Sequence, residues 1–130
     1  MKSIEEIRNI FKDDRFALEN GMIIDDAGEN YAKCSLEIED RHKNAMGAVM
    51  GGAIFTLADF AFGVAANNKG FGTVSINSSI AFLGAAKGER LIAEARCIKN
   101  GRTTCYYTVS VTDDRGTKVA EITVTGFNKA

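Results

Sequence analysis

Apolar and polar residues alternate with a period of two along several stretches of this chain, which is the spacing of half-buried β-strands. The clearest stretch is 32–38, in which Ala32, Cys34 and Leu36 alternate with polar residues. The same type of pattern, bounded by turn residues, predicts six strands in all. They cover residues 22–27, 32–38, 73–83, 91–98, 103–113 and 118–127.

A short helical segment is predicted at the N-terminus, over residues 1–20. Ser3 and Glu6 have the spacing of a capping box, in which each side chain accepts a hydrogen bond from the other residue's backbone. Apolar residues follow at helical spacing. Residues 14–20 add another turn, which Asn20-Gly21 stops.

A second helix is predicted over residues 51–66, and it is apolar on nearly every side. Only Thr56 and Asp59 are clearly polar within it. A helix of this kind is normally wrapped by other structure. A carboxylate buried there costs several kcal/mol unless it is paired or hydrogen-bonded. We therefore expect Asp59 to take part in function or to have a dedicated partner.

The late strands are joined by short connections at residues 85–88, 100–101 and 113–116. These joints are typical of hairpins, and Asn100-Gly101 is the strongest signal of the three. Short joints imply an antiparallel sheet. The most economical way for one sheet to cover the apolar helix is to curve around it. This predicts an α+β protein with the hotdog fold, as one domain spanning residues 1–130.

Composition excludes several classes of function. The 130 residues carry a net charge of −1, with acidic and basic residues mixed along the chain. There is no basic stripe of the kind that binds nucleic acid, and no apolar run long enough to span a bilayer. The N-terminus carries acids where a signal peptide would be basic and then apolar. We expect a soluble, cytoplasmic protein without nucleic-acid or membrane partners.

The residues that commonly bind metals are few. Three cysteines, Cys34, Cys97 and Cys105, lie in strand-like segments without metal-ligand spacing. They are interpreted as buried free thiols in a reducing compartment. His42 is the single histidine and is interpreted as a solvated loop residue. No metal site is predicted.

Residues 44–59 resemble the PaaI-type acyl-CoA thioesterases of the hotdog superfamily. The family pattern is roughly Asn-x-x-Gly-x-x-His-Gly-Gly-x-x-x-x-Leu-x-Asp, and this chain fits it from Asn44 through Gly51 to Asp59. The resemblance extends from about residue 21 to residue 127. It implies hydrolysis of a coenzyme A thioester of a small, aryl or medium-chain acyl group. Coenzyme A enters only as part of the substrate, and no cofactor is implied.

The resemblance also implies roles for individual residues. Backbone N–H groups at Gly51, at the positive end of the helix, form an oxyanion hole. Asp59 is a general base or a nucleophile. Asn44 orients the carbonyl or the water, and the hydroxyl of Ser75 assists the water. Met50 departs from the pattern, because it stands where the family usually has histidine.

Each role has a purely structural alternative. The Gly51-Gly52 pair could serve only to bring the helix close to the sheet, and Asp59 could cap a backbone group. Asn44 could be an ordinary turn asparagine. Serines such as Ser75 are common on strands.

The spacing of Gly51 and Asp59 predicts a homodimer. Eight residues of helix span roughly 12 Å, whereas reacting groups approach to about 3–3.5 Å. Gly51 and Asp59 of one chain therefore cannot easily serve the same carbonyl. Two antiparallel central helices would bring Gly51 of one chain to Asp59 of the other. The resemblance agrees, and it often implies a dimer of such dimers.

Coenzyme A has anionic phosphates, and three basic residues lie in or beside turns: Lys87, Lys99 and Arg102. Residues 82–87 and 99–103 match family segments that line the coenzyme, at opposite ends of one strand. Solvated turn charges are the alternative interpretation. The predicted substrate-binding residues are Met50, Gly52, Phe82, Gly84, Lys87, Lys99, Asn100, Gly101, Arg102 and Thr103.

Three other functions compete with hydrolysis. The first is a non-catalytic protein that binds acyl-CoA, against which the retained Asp59 argues. The second is a hotdog dehydratase or hydratase, which would need a histidine near the start of the helix, whereas His42 precedes Asn44 in a loop. The third is a purely structural dimer.

Overall fold

A computed structural model describes residues 2–129 of the chain. Its six strands form a single antiparallel sheet in the order β1-β2-β4-β5-β6-β3. Helix α3 packs on the concave side and contacts every strand. The predicted hotdog fold is confirmed. The helices are α1 (Ile4–Ile10), α2 (Arg15–Glu19) and α3 (Gly51–Asn67), with a 3-10 turn at Asp40–His42; the strands are β1 (Met22–Gly28), β2 (Tyr31–Glu37), β3 (Thr73–Phe82), β4 (Arg90–Asn100), β5 (Thr104–Asp113) and β6 (Lys118–Asn128).

Local signals in the sequence fix the start of the chain. The capping box of α1 is present: Ser3 Oγ accepts a hydrogen bond from Glu6 N at 3.1 Å, and Glu6 Oε1 accepts one from Ser3 N at 2.9 Å. Gly21, with φ of 89°, ends the helical segment, and Asn30, with φ of 55°, turns β1 into β2. Both are positions of positive φ, which glycine and asparagine tolerate best.

The joint predicted as a hairpin at residues 85–88 is a crossover instead. β3 pairs with β6, from Thr73 opposite Asn128 to Phe82 opposite Ala120. β4 pairs with β2 on one side and with β5 on the other, so it has no edge left for β3. The segment after Phe82 therefore leads from one edge of the sheet to its middle. The other two joints are hairpins, as predicted.

The core lies between α3 and the sheet. Leu57, Ala58 and Val64 on α3 are fully buried. The opposite face of α3 is not covered, because one sheet closes over only one side of the helix. Gly52 and Asp59 are exposed on that face. The expectation of a helix wrapped on all sides, with a buried carboxylate, is therefore wrong for the single chain.

β3 is an edge strand that remains largely open to solvent. It pairs along one edge only, and most of its residues are exposed. Val74, Ile76 and Phe82 are 41%, 59% and 56% exposed. Unpaired strand edges with exposed apolar side chains are templates for association with another chain.

Asn67 fastens the end of α3 to the start of β3. Its Oδ1 accepts hydrogen bonds from Gly72 N and Thr73 N, and its Nδ2 donates to Gly63 O and Thr73 O. This buried amide thereby satisfies backbone groups on both elements.

The thiols and the histidine take structural positions. Cys34 and Cys105 are buried free thiols, as predicted, and Cys97 is half-buried. His42 is buried, so its interpretation as a solvated residue is wrong. Its Nδ1 accepts from Glu39 N at 2.9 Å, which leaves Nε2 to donate to Asn20 O at 2.8 Å.

Residues 2–129 contain neither a candidate membrane-spanning helix nor a candidate metal site. No helix in that range has the length and apolar character needed to cross a membrane. The same residues hold no group of three acidic, cysteine or histidine side chains placed to bind a metal ion.

Candidate active site

Asp59 and Ser75 line one cavity of about 350 Å³. α3 contributes Thr56 and Asp59 to it, and the start of β3 contributes Ser75. Thr56 Oγ1 donates to Gly52 O at 2.7 Å, so its hydroxyl proton is already used within the helix. The N-terminal segment closes the cavity with Asp14, Phe16 and Ala17.

The proton affinity of Asp59 is raised in this cavity. Although the Asp59 residue is exposed overall, the cavity walls displace part of the water around its carboxylate, which raises its pKa above the ordinary value. The negative charge of Asp14 raises this pKa further. Partial burial raises the pKa of Asp14 as well. A carboxyl shifted in this direction is a stronger base than an ordinary aspartate.

Gly51 lies in a second cavity, of about 450 Å³, together with Phe82 and Gly84. Gly51 is the first residue of α3, so its backbone N–H has no partner within the helix. A Cβ at this position would lie only 3.0 Å from Cζ of Phe82. The absence of a side chain on Gly51 therefore gives the Phe82 ring room to pack against the start of the helix.

The single chain does not bring Gly51 and Asp59 into one site. Their two cavities share no lining residue, and the helix separates them by roughly 12 Å. A larger cavity, of about 600 Å³, lies beyond the far end of α3 against α1 and holds none of the predicted site residues.

Asn44 holds its own loop. Its Oδ1 accepts hydrogen bonds from Met46 N at 3.0 Å and Ala48 N at 3.2 Å. The turn role that was the alternative for Asn44 is therefore real. Within residues 2–129 no acceptor takes a hydrogen bond from its Nδ2, which leaves that amide group as a donor for a ligand.

Met50 stands at the N-cap position of α3 and supplies no side-chain cap. Its exposed thioether and the neighbouring Gly52 line a smaller apolar cavity of about 250 Å³. Phe16 and Thr56 belong both to this cavity and to the cavity of Asp59, so the two adjoin.

The segment that carries Lys87 is held from beneath by Asp113. Asp113 Oδ2 accepts from Lys87 N at 2.7 Å and Gly88 N at 2.9 Å, and Oδ1 accepts from Arg115 N and Thr117 N. Burial alone would raise the pKa of Asp113, but these N–H donors outweigh it and hold the pKa well below the ordinary value. The segment after Phe82 is thus fixed by a buried carboxylate.

The second predicted coenzyme segment, residues 99–103, lies at the other end of β4. The eleven residues of this strand span roughly 33 Å. Through Asn128, this turn is linked by hydrogen bonds to the end of β3 that bears Ser75. Asn128 Nδ2 donates to Asn100 Oδ1 and Gly101 O, and its Oδ1 accepts from Thr73 Oγ1. Lys99, Arg102 and Thr103 are exposed there.

Three residues near these sites were not predicted from the sequence. Asp14 and Phe16 line the Asp59 cavity from a segment more than 40 residues upstream. Asp113 accepts a hydrogen bond from Gly88, which lies 25 residues before it in the chain. No local pattern indicates such contacts, although Asp14 has the position of a helix N-cap.

The Thioesterase superfamily matches residues 46–120 of the chain. A putative esterase of Archaeoglobus fulgidus is 34% identical over 120 residues, which cover 90% of this chain and 77% of the relative. The acyl-coenzyme A thioesterase PaaI of Escherichia coli is 27% identical, over 92% of this chain and 86% of its own.

Solved structures agree. E. coli PaaI superposes with a TM-score of 0.90 over 97% of this chain and 92% of its own, at 24% identity. A Streptococcus pneumoniae thioesterase with coenzyme A has a TM-score of 0.83 and 28% identity, over 92% of this chain and 99% of its own. The chain therefore belongs to the thioesterase superfamily, as a thioester hydrolase of the PaaI type with the hotdog fold.

Proposed function

We propose that this protein hydrolyses acyl-CoA thioesters at sites shared between two copies of the chain. Asp59 of one copy acts on a thioester carbonyl that the backbone N–H groups at Gly51 of the other copy polarise. The observation that carries this proposal is the division of the candidate residues between two cavities of the single chain. The coenzyme A in the related S. pneumoniae structure supports the choice of substrate.

The chemistry follows from the two half-sites. A water oxygen attacks the carbonyl carbon while Asp59 accepts one of its protons, and the oxyanion is stabilised by the helix N-terminus. The C–S bond then breaks with its electron pair on sulfur. The proton from Asp59 passes to the sulfur, giving free coenzyme A and the acid. In the alternative route, a carboxylate oxygen of Asp59 attacks the carbonyl carbon, the C–S bond breaks and coenzyme A leaves as a thiolate. Water then cleaves the resulting anhydride to the free acid and the Asp59 carboxylate, and the proton that is released goes to the thiolate.

The second copy is expected along β3. This strand leaves one edge unpaired and exposes Val74 and Ile76. Pairing of two such edges would cover these side chains and the open face of α3. Exposed Ile98, Tyr106 and Phe127 on the sheet offer a further surface, which supports a dimer of dimers.

Each half-site carries one coenzyme segment. The Gly51 cavity includes Phe82 and Gly84 and leads to Lys87. The Asp59 cavity lies at the end of the sheet where the 99–103 turn is hydrogen-bonded through Asn128. A composite site would therefore receive one segment from each chain. Lys87 and Arg102 would then meet coenzyme phosphates from two sides.

The acyl group fits the apolar cavity of about 250 Å³ beside Asp59. The apolar side chains in its wall are Phe16, Met22, Met50 and Ala53, and the polar part of the wall comes from Asn20, Arg41, His42 and Thr56. This volume lies below the roughly 300 Å³ at which pockets for drug-sized ligands begin, which supports a small, aryl or medium-chain group over a long fatty chain.

A panel of acyl-CoA substrates tests the proposal. Thiol release is measured for wild type and for Asp59→Asn, with binding of a non-hydrolysable analogue measured in parallel. We expect turnover of aryl and medium-chain substrates and a loss of roughly a hundredfold or more in kcat for Asp59→Asn. Binding without turnover in wild type would instead support the non-catalytic acyl-CoA-binding protein. Unchanged turnover in Asp59→Asn would reject the mechanism.

A further inference from the structure

The N-terminal segment supplies a second carboxylate to the Asp59 cavity, and the reaction described above does not use it. Asp14 lines the same cavity as Asp59 and Ser75. It occupies the N-cap position of α2, where an aspartate normally accepts a hydrogen bond from its own helix. Within residues 2–129 its side chain makes no capping bond. Asp14 therefore contributes a negative charge to the cavity without a local structural use.

Few other charges act on Asp59. The remaining residues of α3 are uncharged, and β3 has no charged residue. The charged residues next to Asp14 are Lys12, Asp13 and Arg15, and none of them lines the cavity. Arg15 pairs instead with Glu19 at 2.9 Å. Arg41 lines only the adjoining cavity, and it pairs with Glu39 at 2.7 Å. Among the described residues, the wall of the Asp59 cavity itself therefore contains no cation.

We propose that Asp14 is a positioning residue that acts through Asp59: its negative charge on the wall of the same cavity makes Asp59 a stronger proton acceptor. The inference rests on the proposed function, in which Asp59 receives a proton from the attacking water. When that proton moves, one of the two negative charges is neutralised. Repulsion between the carboxylates is therefore relieved as the transition state forms.

The pH dependence of kcat/KM separates this role from a structural one. Loss of activity at low pH reports protonation of Asp59 in the free enzyme. Asp14→Asn keeps a good N-cap residue of nearly the same shape and removes the charge. Without that charge the carboxylate of Asp59 is more easily kept ionised, so the acid limb should move to lower pH. Asp14→Glu, which keeps the charge, should retain the wild-type limb.

Asp13→Asn is the matched control, since it removes the same charge one residue away from the cavity wall. It should leave the acid limb in place. Titration of the Asp59 carboxyl by ¹³C NMR gives the same comparison without turnover. If Asp14→Asn does not fold, Asp14→Ser removes the charge while keeping a capping residue.

Two outcomes would overturn the inference: an acid limb that stays in place when the charge of Asp14 is removed, or an equal movement in Asp13→Asn. These failures differ from failure of the proposed function. If Asp59→Asn is inactive but the Asp14 variants show no shift, only the role of Asp14 is rejected. If Asp59→Asn keeps wild-type turnover, the proposed function is rejected first.

Discussion

The ring of Phe82 lies against Gly51 so closely that a methyl group on Gly51 would sit 3.0 Å from Cζ and 3.2 Å from Cε1 of the ring. This contact joins the start of α3 to the end of β3. It places a predicted coenzyme-binding residue beside the helix terminus that is proposed to bind the oxyanion. The close packing of Phe82 at that terminus depends on the absence of a side chain on Gly51.

Gly51→Ala should therefore reduce kcat/KM by roughly tenfold to a hundredfold. The added methyl group would press on Phe82 and shift the start of α3, so the backbone N–H groups there could no longer approach the oxyanion closely. Steady-state thiol release measures this effect. Gly51→Ala should leave Tm unchanged or lower it, because the added methyl group would lie 3.0 Å from Cζ of Phe82. Wild-type kcat/KM in Gly51→Ala would contradict the role of Gly51.

Ile76→Lys should convert the dimer to monomers and remove most of the activity. The substitution places a charge on the open edge strand, where natural proteins use lysine to prevent pairing. Light scattering after size-exclusion chromatography measures the mass. Ile98→Lys is the control, because Ile98 is equally exposed, at 61%, but lies on an interior strand. It should remain at least dimeric and active. A fully active Ile76→Lys monomer would reject the shared site.

Complementation tests the shared site directly. Asp59→Ala and Gly51→Val should each be inactive alone. In a heterodimer of the two, one of the two sites has both residues intact. Random 1:1 exchange makes half of the dimers mixed, so about one quarter of wild-type activity should return (1/2 × 1/2 = 1/4). Exchange with the double variant should restore none. Proven heterodimers without activity would count against the arrangement.

Asp113→Asn should lower Tm near neutral pH, because it weakens the hydrogen bonds that Asp113 accepts from Lys87 N and Gly88 N. It should also raise the KM for acyl-CoA, since these bonds hold the segment that carries Lys87. The folded pKa of Asp113 lies below the ordinary value of 3.8. Its contribution to stability is therefore fully present above that value and is lost as the pH falls toward the folded pKa.

Chemical denaturation at a series of pH values measures this effect. The stability difference between wild type and Asp113→Asn should shrink below about pH 4. Asp40→Asn, at a fully exposed position, should show no comparable difference. A constant difference across the acid range would show that the charge of Asp113 is not responsible.

Local patterns were sufficient for most of the fold. Alternation predicted the strands, the Ser3–Glu6 pair predicted the first helix, and Asn30 marked its turn. The pairing of β3 with β6 could not be predicted this way, because it depends on which edges the other strands leave free. The joint at 85–88 resembles a hairpin locally and becomes a crossover only in the complete sheet.

The candidate site was predictable to the same extent. Residues 44–59 indicated Gly51 and Asp59, and their spacing indicated two half-sites. The exposure of Asp59 was missed because sequence alone does not show which face of an apolar helix the sheet leaves open. Asp14 was missed because only the packing of α2 beside α3 brings it to the wall of the Asp59 cavity.

The hydrogen bonds of Asn67 limit how the end of α3 and the start of β3 can move relative to each other. Because one amide is bonded to backbone groups at the end of α3 and at the start of β3, the five residues between them cannot act as a hinge. The helix that bears Asp59 and the strand that bears Ser75 therefore move as one rigid unit. In the proposed dimer, adjustment to acyl groups of different size would then come from a change in the relative tilt of two such rigid units, one from each copy.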